Sequence, residues 1–432
     1  MAQFSQELLV NFTEFNLNAQ ILSGIQTQGY RVATPIQAKA IPAILQGRDV
    51  VGLAQTGTGK TAAFALPLLQ RLMEGPQGRL RALILSPTRD LADQICATIN
   101  NFSIKTNLRC ATIYGGKINY TQQYQLVSGG IDCIVACPGR LLDLLQGKNS
   151  NFLHHIEVLV LDEADHLFDQ GFRDAIYRIL KSLPKLRQNL LFSATMSADI
   201  RLLIDKVLNN PVWIQIGKPA PASTITQTLF PVPEALKVNL LETILQSHPI
   251  HSAIIFTRTK HRAKCLAEHL SYLGYKATSF QGNLSQSKRK TALGKFRQGE
   301  LKFLVATDMA ARGIDVEHIS HVINFDMPNT AIEYTHRIGR TGRAAKSGIA
   351  FSLTTKSDKR KIQSIEYLQK KRLEECIIAE FDYQAKVNPP IKSVNTRQPK
   401  PFSYDCRTHS SQRKKKSHHF AKKIITKKET TR

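Results

Sequence analysis

The chain has 432 residues, of which 42% are hydrophobic, with a formal net charge of +26 at pH 7 and seven cysteines. This length predicts two or three domains, and the basic excess favours a polyanionic partner, with nucleic acid preferred over an anionic membrane. Neither a bilayer-spanning apolar run nor a secretory N-terminus is visible, and the scattered cysteines complete no zinc pattern, so we expect reduced thiols in a cytoplasmic protein without a membrane partner.

The N-terminal region predicts two helices before the first strand. An amphipathic pattern covers roughly Asn18–Gln28, and Thr34-Pro35 then predicts an N-cap and the start of a second helix. Gln37 lies in the first turn of that helix, where its adjacent donor and acceptor match the N6/N7 edge of adenine. Tyr30 is a candidate for stacking on the base. Ordinary helix packing is the alternative, but the loop that follows favours nucleotide binding.

The next segment predicts a strand, a glycine-rich loop and a helix. The apolar run from Val50 ends in a loop with the residues Ala54, Gln55, Thr56, Gly57, Thr58, Gly59, Lys60 and Thr61. Such a loop directs backbone N–H groups at a phosphate, while Lys60 can reach the β- and γ-phosphates and the Thr61 hydroxyl can ligate Mg²⁺. Ala54 replaces the first glycine of the usual pattern. The agreement of strand, loop and helix nevertheless favours an ATP site over a simple turn.

Apolar runs alternate with amphipathic helices in the rest of the chain. In the first half, the candidate strands are Ala82–Leu85, Ala111–Tyr114, Cys133–Ala136, Val158–Leu161, Leu190–Phe192 and Val212–Ile216. In the second half, they are Ser252–Phe256, Lys276–Phe280, Phe303–Ala306, His321–Phe325 and Ile349–Leu353. This alternation predicts parallel, doubly wound sheets.

An acidic loop, Asp162-Glu163-Ala164-Asp165, follows one of these strands. Ligands of doubly wound folds bind at such strand ends, so Asp162 is a candidate Mg²⁺ ligand, through water. Glu163 is the candidate base or orienter for a water that attacks the γ-phosphate. We expect the hydroxyls of Ser193 and Thr195, after another strand, to hydrogen-bond Asp165. A solvated acidic turn would be the alternative without the phosphate loop.

The second half contributes a basic segment, His336–Arg343. Its arginines 337, 340 and 343 are spaced by three residues and can share one face, and their planar guanidinium groups suit phosphate oxygens. A basic helix surface or an RNA backbone contact is the alternative. Asp315, near another strand end, is a candidate for binding a ribose hydroxyl.

The composition changes near residue 384. Residues 384–432 contain fourteen Lys or Arg residues and two acids, a net charge of +12 that leaves +14 for the rest of the chain. We expect a disordered tail that binds polyanions. A solubility tail, or a nuclear-import signal at 413–416, is the alternative.

Taken together, these motifs resemble those of the DEAD-box ATP-dependent RNA helicases, in order and spacing, from about Phe12 to Leu373. The matching pieces are Phe12 with Gly29–Gln37, Ala54–Thr61, Pro87–Gln94, Gly115-Gly116, Pro138-Gly139-Arg140, Asp162–Asp165, Ser193–Thr195, Ile254–Thr259, Gln281-Gly282, Ala306–Asp315 and His336–Arg343. The stretches 187–195 and 256–261 look most like the bacterial RhlE-type branch.

The resemblance implies an α/β protein with two tandem RecA-like, doubly wound parallel-sheet domains and a disordered basic C-terminal tail. The expected boundaries are 1–38 for the lead and adenine-reading segment, 39–210 for the ATP-binding domain, 211–226 for a linker, 227–383 for the second domain and 384–432 for the tail. Phe12 would join Tyr30 and Gln37 at the nucleotide, and Arg340 and Arg343 would act as arginine fingers.

The same resemblance implies an RNA path across both domains. The expected contacts are Thr88, Arg89, Gly116, Gly139 and Arg140 in the first domain and Arg258, Gly282, Thr307 and Arg312 in the second. Such contacts to sugar and phosphate give low sequence selectivity, on single strands or short duplexes. Asp165, Ser193, Thr195, His336 and Arg337 would couple the motifs and the two domains. Asp90 and Cys137 depart from the family's Glu and Thr, and we expect both to weaken RNA contact without removing ATP hydrolysis.

The sequence therefore predicts an ATP-dependent RNA helicase that uses ATP and Mg²⁺. A DNA helicase or translocase of the same superfamily and a non-enzymatic RNA-binding chaperone are the rivals. Intact Lys60, Asp162, Glu163 and Arg343 speak against the chaperone. Ribosome assembly and RNA turnover both stay open as pathways, so ribosomal particles and RNA-decay proteins are candidate partners of an expected monomer.

Overall fold

The computed structural model describes residues 10–54, 57–116, 120–147, 150–216, 225–311, 319–342 and 347–385. Residues 1–385 belong to one compact unit. Across the ranges just given, no helix is long and apolar enough to cross a membrane. The expected tail, residues 384–432, lies outside these ranges from residue 386 onward, and the expectations for it stay predictions.

The first half builds a sheet whose seven strands all run parallel, in the order β3-β4-β2-β5-β6-β1-β7. Its strands are β1 Val50–Leu53, β2 Ala82–Leu85, β3 Cys110–Ile113, β4 Cys133–Ala136, β5 Val158–Leu161, β6 Gln188–Ser193 and β7 Val212–Gln215. Its helices are α1 Ala19–Thr27, α2 Pro35–Leu45, α3 Lys60–Met73, α4 Arg89–Phe102, α5 Tyr120–Ser128, α6 Pro138–Leu145, α7 Ala164–Asp169, α8 Arg173–Lys181 and α9 Ala198–Val207.

The second half repeats this architecture, with seven parallel strands in the order β10-β11-β9-β12-β13-β8-β14. Its strands are β8 Ile225–Pro231, β9 Ala253–Phe256, β10 Ala277–Phe280, β11 Phe303–Ala306, β12 His321–Asn324, β13 Gly348–Thr354 and β14 Glu374–Glu375. Its helices are α10 Lys237–Ser247, α11 Lys260–Tyr272, α12 Gln286–Arg297, α13 Asp308–Ala311, α14 Ala331–Ile338 and α15 Lys359–Gln369. The predicted pair of doubly wound parallel sheets is confirmed.

Burial on both faces explains why the central strands are continuous apolar runs. Each residue of β2, β4, β5 and β9 is buried, and the apolar residues of the first sheet divide between two clusters. Helices cover both faces of such a sheet, so alternation with polar residues is not needed. The core therefore leaves the strand ends and the loops after them for function.

Strand order determines which of these loops meet. Strands β5, β6 and β1 are consecutive neighbours, with Leu161 paired to Leu191 and Leu53 paired to Ser193. Because the strands are parallel, the glycine-rich loop after β1, the acidic loop after β5 and the segment after β6 leave the sheet at one edge. In the second half, β11, β9 and β12 bring their own C-terminal loops together in the same way.

The expected linker 211–226 contains sheet at both ends. Residues 212–215 form β7, which pairs with β1, and β8 begins at Ile225. The residues between them, 217–224, lie outside the described ranges. An edge strand such as β7 needs ladder hydrogen bonds on one side only, so proline is tolerated there. Its sequence can therefore have the proline-containing composition of a linker. The remaining domain boundaries stay predictions.

Candidate active site

The segment before the first strand is bonded directly to the glycine-rich loop. Thr34 Oγ1 donates to the carbonyl of Thr58 at 2.8 Å, and Gln37 Nε2 donates to the carbonyl of Gly59 at 3.1 Å. Gln37 Oε1 accepts from the Thr34 backbone N–H at 2.9 Å, which caps α2. Gln37 is fully buried. Its amide therefore holds the glycine-rich loop, and its expected role in reading adenine stays a prediction.

The aromatic residues of this segment pack against each other. Phe12 is buried, and its ring meets Tyr30 edge to face with centroids 6.1 Å apart. Tyr30 also contacts Phe102, at 5.4 Å, and stays 39% exposed. Tyr30 is thus available to a ligand, whereas Phe12 supports it from the core.

The glycine-rich loop has the backbone shape that an anion cradle requires. Gly57 has φ +87° and Gly59 has φ +90°, a region that favours glycine. A Cβ at Gly59 would lie 2.4 Å from Gln37 Nε2, so a larger residue would displace the capping amide. The buried Lys60 donates from Nζ to the carbonyl of Ala54 at 2.7 Å and closes the loop on itself. Gln55 and Thr56 lie outside the described residues.

The acidic loop after β5 is buried and held by specific partners. Glu163 has φ +49°, which is strained for a residue with a side chain, and its backbone N–H donates to Asp162 Oδ1 at 3.0 Å. Asp165 Oδ2 accepts from the backbone N–H and the hydroxyl of Thr195, at 3.0 and 2.9 Å. The expected bond from Ser193 to Asp165 is not formed. Ser193 Oγ instead donates to the Thr195 carbonyl at 2.8 Å, since this short turn brings that carbonyl back to it.

Burial and neighbouring charges shift the pKa values of Asp162 and Glu163 in opposite directions. Burial raises the pKa of Asp162 to about 7, even though Lys60 opposes this. Burial alone would also raise the pKa of Glu163, but His166, Lys60 and Arg340 together hold it at about 2. Glu163 is therefore a carboxylate throughout the neutral range, and it accepts hydrogen bonds without donating any.

The basic segment of the second half reaches this acidic loop. His166 Nε2 of α7 lies 3.3 Å from His336 Nδ1 of α14, and His336 Nε2 lies 3.9 Å from Asp165 Oδ2. Arg340 is buried, and its charge acts on Glu163. Opposite sides of one site thus carry acidic groups from the first half and basic groups from the second.

Arg337, expected to couple motifs or domains, bonds to groups of the second half. It forms a two-bond ion pair with Asp308, at 2.5 and 2.6 Å, and also donates to Asn324 Oδ1 and the Asp326 carbonyl. Each of these partners belongs to the second half. Arg337 therefore couples α14 to α13 and β12 within that half. Arg343 and Asp315 lie outside the described residues, and their roles stay predictions.

The expected RNA contacts of the first half form one patch. A Cβ at Gly116 would lie 2.9 Å from Arg89 Nη1, and one at Gly115 would lie 3.9 Å from Arg140 Nη2. Thr88 caps α4, and Gly139 lies in the first turn of α6, whose N-cap is Cys137. Two guanidinium groups therefore flank a bare glycine surface, which suits a phosphate chain.

Cys137 cannot replace a threonine hydroxyl on this patch. Its side chain is buried, and burial raises the pKa of the thiol to about 12. The neutral sulfur is a weak donor that faces the core.

The expected RNA contacts of the second half lie at the ends of β9, β10 and β11. The backbone N–H of the exposed Arg258 donates to Asp326 Oδ2 at 2.8 Å. A Cβ at Gly282 would lie 3.3 Å from Lys260 Cε, which brings a further cation to the surface. Thr307 opens the turn into α13, with its carbonyl accepting from Ala310. Arg312 lies outside the described residues.

Two features of this site were not anticipated from the sequence. His166 follows the acidic motif directly, and its Nδ1 lies 2.7 Å from Glu163 Oε2. Gln286 and Arg289 at the start of α12 bond Asp90 across the two halves. His166 follows Glu163 by 3 residues, so the sequence itself could have indicated this contact, whereas the partners of Asp90 lie 196 and 199 residues away.

Two family models match the chain: DEAD/DEAH box helicase over residues 34–203 and helicase conserved C-terminal domain over residues 236–345. ATP-dependent rRNA helicase rrp3 of Neosartorya fischeri is 45% identical over 350 residues, 81% of this chain and 74% of that protein. RNA helicase CrhR of Synechocystis sp. is 42% identical over 373 residues, 86% of this chain and 75% of that protein. Among solved structures, S. cerevisiae Dbp5 bound to RNA and ADP BeF3 is similar with a TM-score of 0.75 at 30% identity, covering 85% of this chain and 95% of that chain. With a RecA-like pair of sheets, an acidic motif that spells DEAD and matches across both halves, the chain belongs to the DEAD/DEAH box helicase family.

Proposed function

We propose that this protein is an ATP-dependent RNA helicase that couples ATP binding and hydrolysis to closure of its two domains on RNA and to local duplex unwinding. The observation that carries the proposal is that groups of both halves meet at one buried site: His166 contacts Glu163 on one side and His336 on the other, and the charge of Arg340 acts on Glu163. A site completed by both halves can hydrolyse ATP only when the halves are together. ATP hydrolysis is thereby coupled to the closure of the two halves on RNA.

The residues present fit ATP and Mg²⁺. Gly57 and Gly59 have the left-handed backbone that turns loop N–H groups toward a phosphate, and a Cβ at Gly59 would displace the Gln37 amide that holds the loop. Asp162 offers buried carboxylate oxygen and Thr61 a hydroxyl, which are the ligands Mg²⁺ prefers. When bound, Mg²⁺ would neutralise phosphate charge. Lys60 has to exchange the Ala54 carbonyl for phosphate oxygens, which makes loop opening part of nucleotide binding.

The protein groups then have separate tasks in hydrolysis. The Glu163 carboxylate orients the attacking water and is the group placed to accept its proton. Arg340, and by analogy Arg343, stabilise charge on the γ-phosphate from the second half. Thr195 holds Asp165 and so keeps the acidic loop in register with β6.

The glycine and arginine patch of the first half and the strand ends of the second half support RNA as the polyanion. These groups offer backbone and guanidinium donors suited to phosphate and sugar, so low sequence selectivity is proposed. The name of the rrp3 relative favours ribosomal RNA, and hence ribosomal particles, over RNA-decay complexes as the context. A cytoplasmic monomer of the RhlE-type branch is the corresponding proposal for location, state and subgroup.

The test compares ATP hydrolysis by the full chain without nucleic acid, with single-stranded RNA and with single-stranded DNA of the same sequence. We expect RNA to raise kcat by about tenfold or more and DNA to have little effect. Equal stimulation by DNA would favour the translocase. RNA binding without hydrolysis of ATP would favour the chaperone.

A further inference from the structure

His166 lies where the two halves of the chain meet, and its side chain is buried. Nδ1 of its ring lies 2.7 Å from Glu163 Oε2, and Nε2 lies 3.3 Å from His336 Nδ1. The two imidazole rings meet edge to face, with centroids 4.9 Å apart. His166 thus connects the proposed base of the first half to a residue of the second.

We infer that His166 is a positioning residue that holds the Glu163 carboxylate in its working orientation once His336 of the second half has reached it. The inference rests on the proposed function, because it says how closure of the halves reaches the group that activates water. Glu163 and Asp165, both in the acidic loop, are held by different partners. Asp165 accepts its hydrogen bonds from Thr195 and the His166 backbone, both in the first half, with His336 no closer than 3.9 Å. By contrast, Glu163 is held by His166, which itself contacts the second half.

Hydrogen-bond polarity carries the inference. Nδ1 of His166 lies 2.7 Å from Glu163 Oε2, and a carboxylate only accepts hydrogen bonds, so Nδ1 has to carry the proton of this contact. In the neutral ring, Nε2 is then the acceptor, and it is satisfied by the Nδ1–H of His336. The other neutral tautomer would direct a lone pair at the carboxylate and repel it. Contact with His336 therefore selects the tautomer that holds Glu163. In functional histidines generally, the hydrogen bond at one ring nitrogen decides whether the other nitrogen carries the proton.

The backbone leaves Glu163 dependent on such a partner. Its φ of +49° places the side chain at a strained turn between β5 and α7, with its N–H bonded to Asp162. No second hydrogen bond to the Glu163 carboxylate is present among the described residues. One side chain, His166, therefore determines the direction of the carboxylate.

Two amide substitutions separate the two contacts of His166. His166→Asn places an N–H near the position of Nδ1, and the amide carries its hydrogens whatever His336 does. His166→Gln places its polar atoms near Nε2 and leaves the Nδ1 position empty. His166→Ala removes both. His269, whose Nε2 lies 2.5 Å from Glu242 Oε1 away from this site, provides the matched control His269→Asn.

We expect His166→Gln and His166→Ala to lower RNA-saturated kcat by about tenfold or more, because a small misorientation of a catalytic group is costly. The KM for ATP should stay within about threefold, since binding groups are untouched. His166→Asn should restore kcat to within about threefold of the wild-type value, and His269→Asn should change neither parameter. His336→Ala should lower kcat less in the His166→Asn background than in the wild type.

The outcomes are distinct from those of the proposed function. If the wild type hydrolyses no ATP with RNA, the proposed function fails. If the wild type is active and Glu163→Gln is not, but His166→Ala retains the wild-type kcat, this inference alone is wrong. It is also wrong if the Asn and Gln variants are equally impaired. Loss of folding in the Ala variant, visible as a lowered Tm, leaves the comparison of the two amides to decide.

Discussion

Arg289 of α12 forms two hydrogen bonds from its guanidinium to Oδ2 of Asp90, at the start of α4 in the opposite half. Both side chains are about nine-tenths buried, and Gln286 donates to the other carboxylate oxygen at 2.8 Å. Arg289 also lies over the ring of Phe280, with Cζ 4.1 Å from the ring centroid, so a partner of its own half supports the guanidinium. Both carboxylate oxygens of Asp90 therefore accept hydrogen bonds from the second half, so we expect this side chain to favour the closed arrangement.

We expect Asp90→Ala to weaken RNA binding in the presence of a non-hydrolysable ATP analogue by about tenfold or more. Removing one partner leaves the other charge buried and unpaired, which typically costs about 3–5 kcal/mol. Fluorescence anisotropy with labelled RNA measures the change. Arg173→Ala, which breaks an exposed pair with Asp199, is the control and should have little effect. If both variants bind RNA like the wild type, the pair does not stabilise the closed form.

Glu163→Gln preserves the shape of the site and removes the charge that orients water. We expect hydrolysis to fall by about 10² or more, while ATP binding stays nearly intact. Phosphate release and binding of a fluorescent nucleotide measure the two quantities. Glu242→Gln removes a carboxylate paired with a histidine elsewhere and should hydrolyse ATP normally. A Glu163→Gln rate above half that of the wild type would contradict the role of Glu163.

Much of this architecture could be predicted from local pattern, because burial on both faces gives each central strand a continuous apolar run. β2, β4, β5 and β11 have the predicted bounds. β14 was missed because two exposed glutamates on a sheet edge carry no apolar signal. Motif residues could be assigned from spacing, but their partners could not. Gln37 bonding to Gly59, and Arg289 to Asp90, depend on which strand ends the topology brings together.

The second sheet contains a histidine whose titration should affect stability. Burial, followed by the nearby His248 and His251, lowers the pKa of His321 to about 4 from 6.5. The unfolded chain takes up this proton near pH 6.5 and the folded protein only near pH 4. The stabilising contribution is therefore complete above pH 6.5 and is lost as the pH falls from 6.5 to 4.

We expect His321→Asn to lose less unfolding free energy over that pH range than the wild type, by on the order of 1–3 kcal/mol. Urea denaturation at several pH values, followed by circular dichroism, measures the difference. The exposed His154→Asn should follow the wild-type curve. If the His321→Asn and wild-type curves run parallel between pH 4 and 6.5, His321 is not the group that titrates.

The basic tail, residues 384–432, should add RNA affinity without choosing sequence. Its net charge of +12 comes with no base-reading motif, so its contacts should be to phosphates. Each phosphate neutralised on a single strand contributes a log–log salt slope of about −0.7, so four contacts would steepen the slope by about 3. RNA affinity of the full chain and of a truncation before Gln384, from low to moderate salt, measures this.

RNA-saturated ATP hydrolysis should change little on truncation of the tail, because the proposed catalytic residues all precede Ala344. Replacing residues 413–416 by glutamine should give an intermediate slope. Equal slopes and equal affinities for all three proteins would mean that the tail contributes solubility rather than a tether.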